Sequence, residues 1–368
     1  MQRFMNILVV MDKKTDSEAL IERALALSQR NQARLTFVNV LDELPRDIPT
    51  PVAVEPVDVG APSIDIIEEL PPDIPAQVES DPVGDQVTIN YSKDPFSDEA
   101  SSQVTYESPL DIREQIIEAE VNHLDQIVSS IQQAGVQASS KVLYGTPFLE
   151  IIREVLRNGH DLVMIAAEGR GSLREMLFGS TTMRLMRQCP CPVWVIKPLQ
   201  FKRYARILVA VDPTPEDEER NALNIKVLDL ATYLAQLEQS ELLIIHTWNF
   251  SVEDSLRSRS IRIPQNQIDE WARGVQDLHR RRLCALLEKY DLERLKHQVY
   301  LLKGEADRLI PKLVKAKDVE LIVMGTVAQT GIAGLFIGGT AAKVLRQVDC
   351  SVLTVKPDGF KTPVKFEE

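Results

Sequence analysis

The sequence has few cysteines and few histidines, and these shortages exclude two classes of protein. Four cysteines in 368 residues are too few for the disulfide framework of a small secreted protein. The five histidines are scattered over both halves of the chain and have no ligand spacing. Cys189 and Cys191 lack two further ligands at zinc-like spacing, so we interpret them as structural residues and predict no metal site.

Long apolar runs and a basic surface are also missing. No stretch approaches the roughly 18 apolar residues that span a bilayer, and the first apolar run stops at Asp12, too early for a signal peptide. The net charge of −12 is concentrated in residues 42–111, where 17 acidic residues accompany two basic ones. The rest of the chain is nearly neutral and lacks the basic face that nucleic acid requires. We therefore expect a cytoplasmic protein that binds neither nucleic acid nor a membrane.

One sequence pattern occurs twice along the chain. Residues 6–12 and 206–212 are apolar runs that end in an aspartate. Residues 145–198 align without a gap with residues 304–357, and 12 of the 54 aligned positions are identical. Uninterrupted apolar runs of this kind belong inside a parallel sheet that helices cover on both faces. The pattern therefore predicts two copies of one α/β fold.

The repeats predict two domains in tandem and an insertion in the first of them. The domains comprise residues 1–199 and residues 204–358, and residues 359–368 form a tail. Residues 43–110 are acidic, contain 11 of the 21 prolines and have no counterpart in the second domain. Such a composition cannot bury enough apolar surface to offset the entropy lost on ordering, so we predict an irregular or disordered segment.

Each domain has a glycine-containing loop between its fourth strand and its last helix. Glycine lets the backbone approach a ligand, and the free N–H groups of the following helix suit an anion such as a phosphate chain. The same glycines could equally be ordinary turn residues. The residues concerned are Gly169, Gly179, Ser180 and Thr181 in the first domain and Gly325, Gly338, Gly339 and Thr340 in the second.

The duplicated pattern resembles the universal stress protein family, and specifically its tandem two-domain members. Nucleotide-binding members carry Gly-x2-Gly-x9-Gly-Ser/Thr between the fourth strand and the last helix. The resemblance implies two flavodoxin-like, adenine-nucleotide α-hydrolase-like domains, each with a five-stranded parallel sheet flanked by helices. It also implies that the domains pair through their last strands, here residues 193–196 and 352–355, as an intramolecular pseudo-dimer. A homodimer of the whole chain stays open.

The resemblance assigns further residues to a nucleotide site. Asp12 and Asp212 match the carboxylate that meets the adenosine part in nucleotide-binding members, although both could equally be helix caps. Val40 matches an apolar residue near the adenine, and Thr247 is its less apolar counterpart. The expected partner is therefore an adenine nucleotide or another small ligand, with ATP, accompanied by Mg²⁺, as the implied cofactor.

Neither domain keeps the whole glycine pattern. Ala166 stands at the first glycine position of the first domain, whereas in the second domain Ala328 replaces the second glycine and Gly339 the hydroxyl residue. An added Cβ matters where the backbone needs a positive φ or where a ligand packs on the Cα atom. Because the first domain departs less from the pattern, we predict that it holds the stronger site.

Three functions fit these observations. The first is a stress-response or regulatory protein that binds ATP or a related ligand weakly in at least one domain. The second is a nucleotide-independent scaffold, or a sensor of another ligand, in which both sites have lost ATP. The third, a slow ATP hydrolase, is less favoured because no clear general base, Walker-type lysine or metal-ligand cluster accompanies the loops. We therefore assign no catalytic residue.

Overall fold

Strands and helices alternate along both halves of the chain. The computed structural model describes residues 4–12, 17–41, 109–167, 178–197, 203–213, 217–250, 263–326 and 338–365. One unit, made of Met1–Leu44 and Gln115–Glu368, contains both halves. The other unit, Pro45–Glu114, is described only from residue 109 onward. The predicted irregularity of residues 43–110 therefore lies almost wholly outside the described residues.

The first half contributes five strands and four helices to the described part of the chain. These are β1 (Asn6–Val10), α1 (Glu18–Asn31), β2 (Arg34–Leu41), α2 (Pro109–Gln133), β3 (Ala138–Tyr144), α3 (Pro147–Asn158), β4 (Leu162–Ala166), α4 (Ser180–Gln188) and β5 (Val193–Ile196). Helix α2 begins at Pro109, so the last two residues that we assigned to the insertion are helical. Proline suits a first helical turn because its missing N–H would have no partner there.

The second half repeats this order. Its described elements are β6 (Arg206–Ala210), α5 (Glu218–Glu238), β7 (Glu241–Trp248), α6 (Gln265–Leu287), a 3-10 turn (Leu292–Arg294), β8 (His297–Lys303), α7 (Ala306–Ala316), β9 (Leu321–Gly325), α8 (Gly339–Leu345) and β10 (Ser351–Val355). None of the described helices in either half is long and apolar enough to cross a membrane.

All ten strands join one sheet in the order β3-β2-β1-β4-β5-β10-β9-β6-β7-β8. Within each half the strands are parallel. Strands β5 and β10 pair antiparallel, with Trp194 opposite Leu353, so each half covers the open edge of the other. The predicted fold class is confirmed, and so is the predicted pairing of the last strands.

The apolar strands are buried on both faces of the sheet. Along β1, Ile7 and Val9 pack into one core, whereas Leu8 and Val10 pack into the core on the opposite face. Successive strand residues point to opposite faces, so an uninterrupted apolar run supplies both cores at once. This explains why the runs at residues 6–12 and 206–212 could be recognised as central strands.

The first helix of each half packs on the sheet with the same pattern, but the second copy is longer. Helix α1 has 14 residues and α5 has 21. Both helices end before a glutamine in the left-handed conformation, Gln32 with φ 57° and Gln239 with φ 58°. Because the two ends match, the seven additional residues lie at the start of α5. They add about two helical turns at the carboxyl edge of the sheet.

Two lysines at equivalent positions cross from one half to the other. Lys197 follows β5, and its Nζ donates a hydrogen bond to the carbonyl of Asp349. Lys356 follows β10, is 3% exposed, and donates from Nζ to the carbonyl of Met186 (2.7 Å) and to Oγ1 of Thr326. Burial lowers the pKa of Lys356 to about 7. The two lysines thus follow equivalent strands in the sequence but lie in different structural environments.

Candidate functional site

A cavity of about 560 Å³ opens at the carboxyl ends of β6, β7 and β9. In open α/β sheets this edge is where ligands bind, because the strand ends and the loops that follow them converge there. The cavity brings together the second-half residues that the sequence singled out. These are Asp212, Thr247, Gly325, Gly338, Gly339 and Thr340.

Asp212 is held from two sides by helix α5. The side chain of Asn224 accepts a hydrogen bond from the backbone N–H of Asp212 (2.9 Å) and donates one to its carbonyl (2.8 Å). Nη1 of Arg220 lies 3.3 Å from Oδ2 of Asp212. The helix start that carries Arg220 is capped by Asp217, whose Oδ1 accepts from the Arg220 backbone N–H at 3.0 Å. The cavity wall therefore presents a carboxylate and a guanidinium side by side.

Gly325 ends β9 beneath a leucine of the same helix. A Cβ atom on Gly325 would lie 2.7 Å from Cδ2 of Leu223, too close for unchanged packing. Since Leu223 also lines the cavity, the absence of a side chain at Gly325 lets α5 close over the strand. This glycine therefore serves packing within the chain, a role that the sequence pattern did not suggest.

The start of helix α8 is tied back to the end of β9. The backbone N–H of Gly338 donates to the carbonyl of Thr326 at 2.9 Å, and the carbonyl of Gly338 accepts from Ala342 at 2.9 Å. These bonds hold Gly338, Gly339 and Thr340 at the cavity. The intervening residues 327–337, which include the predicted departure at Ala328, lie outside the described residues.

A buried histidine forms part of the cavity wall. His246 is 1% exposed, and its Nδ1 lies 3.1 Å from the carbonyl of Val211. Its Nε2 lies 2.8 Å from Nδ1 of His279 on helix α6. Burial lowers the pKa of both rings; Arg282 adds to the decrease and Asp212 opposes it.

The sequence analysis missed Arg220, Asn224 and the histidine pair. Arg220 and Asn224 follow Asp212 by eight and twelve residues at the start of a helix, and this spacing was the available signal. The two histidines are 33 residues apart and belong to different elements. Only a correct model of the helix–sheet packing could have brought them together.

The first half places its candidates at the equivalent edge of its own strands. Asp12 follows β1, Val40 lies near the end of β2, and Ala166 ends β4. The backbone holds these ends together, because Met11 donates to the carbonyl of Val38 and Ala167 to that of Ile196, both at 2.8 Å. At the start of α4 stand the half-buried Gly179 and Thr181 and the exposed Ser180. Gly169 lies outside the described residues.

Three of the four cysteines are buried, and Cys284 on α6 is exposed. Sγ of Cys189 and Sγ of Cys191 are 3.5 Å apart and both residues are buried, as is Cys350. Their burial in the core around β5 and β10 agrees with a structural role. Over the ranges that the structure describes, no group of three or more histidine, cysteine, aspartate or glutamate residues is placed to hold a metal ion.

The chain matches a known family over most of its length. The model of the universal stress protein family matches residues 3–63, 78–197 and 203–356. Universal stress protein E of Escherichia coli strain K12 is 28% identical over 275 residues, which cover 74% of this chain and 85% of that protein.

Two solved structures share the fold along nearly the whole chain. A functionally unknown protein from Pseudomonas aeruginosa PAO1 superposes with a TM-score of 0.59 at 20% identity, covering 97% of this chain and 94% of that one. A universal stress protein from Archaeoglobus fulgidus has a TM-score of 0.55 at 15% identity, covering 96% and 98%. At these identities the likeness shows the fold alone.

Proposed function

The chain belongs to the universal stress protein family, and we propose that it is a stress-response regulator whose second half binds an adenine nucleotide or a related phosphorylated ligand. The observation that carries this proposal is the cavity at the ends of β6, β7 and β9. It gathers Asp212, Thr247, Gly325 and the start of α8, which are the positions that nucleotide-binding relatives would use.

The size and chemistry of the cavity suit such a ligand. Its volume of about 560 Å³ lies within the range of roughly 300–1,000 Å³ that is usual for small-molecule sites. Ile245, Val227 and Leu223 supply apolar walls for a base, and Asp212 can accept hydrogen bonds from sugar hydroxyls. Arg220 brings a guanidinium, which favours phosphate groups. Apolar walls with a few convergent polar groups are typical of nucleotide sites.

This proposal ranks the two halves in the opposite order to the glycine pattern, and one experiment decides between them. We propose calorimetric titration of MgATP into the full chain and into two matched variants, Gly338→Val and Gly179→Val. Each variant places a branched side chain at the equivalent helix start. We expect Gly338→Val to abolish the binding heat and Gly179→Val to retain it. Circular dichroism and a cooperative thermal transition verify that each variant is folded.

Two results would overturn the proposal. The reverse ranking would move the site to the first half, as the glycine pattern predicts. The absence of heat from the unmodified chain would favour a nucleotide-independent scaffold, or a sensor of another ligand. Packing supports that alternative at one point, because the contact between Leu223 and Gly325 explains the glycine without any ligand. Mass spectrometry of small molecules that co-purify with the chain would identify the other ligand.

A further inference from the structure

The hydrogen bonds around His246 determine where its protons lie. The carbonyl of Val211 can only accept, so Nδ1 of His246, 3.1 Å away, carries a hydrogen. In the neutral ring Nε2 is then the acceptor, and it receives the Nδ1–H of His279 at 2.8 Å. This arrangement leaves Nε2 of His279 as the ring nitrogen that neither carries a hydrogen nor accepts one within the pair.

The pair can therefore take up one proton without losing its internal bond. A proton added to Nε2 of His279 leaves the Nδ1–H donor to His246 in place and makes that bond charge-assisted, which strengthens it. A proton added to Nε2 of His246 would set two N–H groups against each other and break the bond. Because His279 is only half-buried, the nitrogen that can be protonated belongs to the more accessible ring.

Charged groups from four elements surround the pair. Oδ1 of Asp212 lies 4.0 Å from Nδ1 of His246, and Arg220 on α5 pairs with the same carboxylate. Arg282 on α6 acts on both rings. His279 also stacks on Trp248 with ring centroids 6.2 Å apart, and Lys303 of β8 lies 5.6 Å from the Trp248 ring.

Among the described residues, Arg282 and Asp212 act on both rings in opposite directions, and Arg220 is already paired with Asp212 and Asp217. With an empty cavity, the burial of the rings and the charge of Arg282 oppose a further proton. An anion in the cavity would act in the opposite direction, since it attracts the proton that Arg282 repels.

We propose that the His246–His279 pair takes up one proton when a phosphate-bearing ligand enters the cavity, so that the second half binds such a ligand more tightly as the pH falls. This inference rests on the proposed function, because it requires an anionic ligand at that site. It adds that the affinity for this ligand depends on the pH of the solution.

The first half contains a natural contrast to this pair. Nδ2 of Asn39 donates to Oε1 of the buried Glu120 at 2.7 Å. Asn39 and His246 occupy equivalent positions, since Asn39 precedes Val40 and His246 precedes Thr247. Glu120 and His279 are also equivalent, because they are 159 residues apart, which is the offset that aligns the two halves. The same strand-to-helix contact is thus made by an amide and a carboxylate. The first-half contact contains no imidazole, so the proposed proton uptake by a histidine pair belongs to the second half.

The test compares the wild-type chain with His279→Asn. Asparagine keeps a donor near the position of Nδ1 and removes the nitrogen that accepts the proton. MgATP is titrated into both proteins at about pH 6.5, near the ordinary pKa of histidine, in two buffers of different ionisation enthalpy. ATP exchanges the same protons in both experiments, so the difference in proton uptake belongs to the protein.

We expect the wild-type chain to take up about half a proton more than the variant, since a pKa shift of about one unit changes the occupancy of one site by about half. A shift of about one pKa unit on binding corresponds to about a tenfold change in affinity. Between about pH 7.5 and pH 5.5, the affinity of the wild type should therefore rise about tenfold more than that of the variant. Equal proton uptake by the two proteins would overturn this inference and leave the proposed function intact. The absence of binding heat at every pH would overturn both.

A second measurement needs no variant. Nitrogen-15 NMR of the histidine rings distinguishes a nitrogen that carries a proton from one that does not. We expect Nε2 of His279 to acquire a proton when MgATP is added at about pH 6.5, while Nε2 of His246 stays unprotonated. An unchanged His279 signal in a chain that binds MgATP would contradict the inference.

Discussion

Helix α5 reaches about two turns further over the strand ends than helix α1 does. The two helices end alike at Gln32 and Gln239, so the seven additional residues stand beside the second-half cavity. They supply Arg220, Leu223 and Asn224 to its wall. The longer helix thus changes the lining of the cavity while the sheet beneath it keeps its order. The equivalent region of the first half includes residues 13–16, which lie outside the described part of the chain.

The second strand of each half contacts the long helix through a different pair of side chains. In the first half this pair is Asn39 and Glu120, and in the second it is His246 and His279. Both contacts connect equivalent elements, but only the second consists of two imidazoles, which we propose take up a proton at Nε2 of His279. The two halves therefore share their topology and differ in how their strand ends respond to acid. The following predictions test that difference, from the largest expected effect to the smallest.

The two lysines that follow β5 and β10 should contribute differently to stability. Burial lowers the pKa of Lys356 to about 7, whereas an unfolded lysine has a pKa near 10.4. Above about pH 7 the unfolded state binds the proton that the folded state releases, so stability rises with pH. The slope is at most about 1.4 kcal/mol per pH unit, which gives about 2 kcal/mol between pH 7 and 8.5.

Urea unfolding at several pH values tests this prediction. Lys356→Met should remove the slope, whereas the matched variant Lys197→Met should retain it. The measurement stays below about pH 8.5, where unfolded cysteines begin to lose their protons. Identical slopes in the wild type and in Lys356→Met would show that Lys356 is not the titrating group.

The buried histidines should make the ligand-free chain less stable in acid. Burial lowers the pKa of His246, His279 and the first-half residue His160. Below about pH 6.5 the unfolded state takes up protons that the folded state does not, so the free energy of unfolding falls as the pH falls. Each group contributes at most about 1.4 kcal/mol per pH unit.

Two variants separate the contributions of the halves. His279→Asn removes one titrating group of the second half, and His160→Val copies Val319, the buried residue at the equivalent position. Each should lessen the loss of stability between about pH 6.5 and pH 5.5, as measured by urea unfolding. If MgATP binds as proposed, it should lessen that loss in the wild type but not in His279→Asn. A wild-type stability that does not vary over this range would refute the prediction.

The smallest expected effect concerns the residue that ends the fourth strand of each half, Ala166 or Gly325. Gly325→Ala should destabilise the chain by about 1 kcal/mol, because the new Cβ meets Leu223 at 2.7 Å. Ala166→Gly should cost about as much through the loss of a buried methyl group.

Thermal unfolding in a Leu223→Ala background distinguishes the two causes. That background should remove the penalty of Gly325→Ala, because Leu223 is the side chain that the new Cβ would meet, and it should leave the penalty of Ala166→Gly, which has a different cause. If the penalty of Gly325→Ala is the same with and without Leu223→Ala, the contact with Leu223 is not the reason that β9 ends in glycine.

Much of the fold could be predicted from the sequence because burial leaves a local pattern. The apolar runs at residues 6–12 and 206–212 are uninterrupted because both faces of a central strand are covered. The gap-free alignment of residues 145–198 with residues 304–357 then indicated that the second half repeats the elements of the first. Helix α2 begins at Pro109, two residues inside the predicted insertion, because the proline that begins it resembles the prolines of the insertion. Element ends depend on single residues and are harder to predict than element type.

The candidate site could be predicted only in part. Asp212, Gly325 and Gly338 were recognised because they follow apolar strands or begin a helix, and strand ends meet at one edge of a parallel sheet. Arg220 and Leu223 were not recognised, since a helix surface residue gains a role only from what lies opposite it. We ranked the two sites by how much of the glycine pattern each half keeps. That ranking remains a prediction for calorimetry to test.

The sequence by itself determined the duplication, the alternation of strands and helices and the edge at which a ligand would bind, because those features follow from periodic burial and from residues near one another in the chain. Only the tertiary structure decided the chemistry at that edge. Lys197 and Lys356 both precede a proline after an apolar strand, yet Lys356 is buried against the carbonyl of Met186, and this burial lowers its pKa to about 7. His246 and His279 become one proton-binding group only when α6 packs on β7. Burial and electrostatic surroundings come from distant segments, and a local pattern does not encode them.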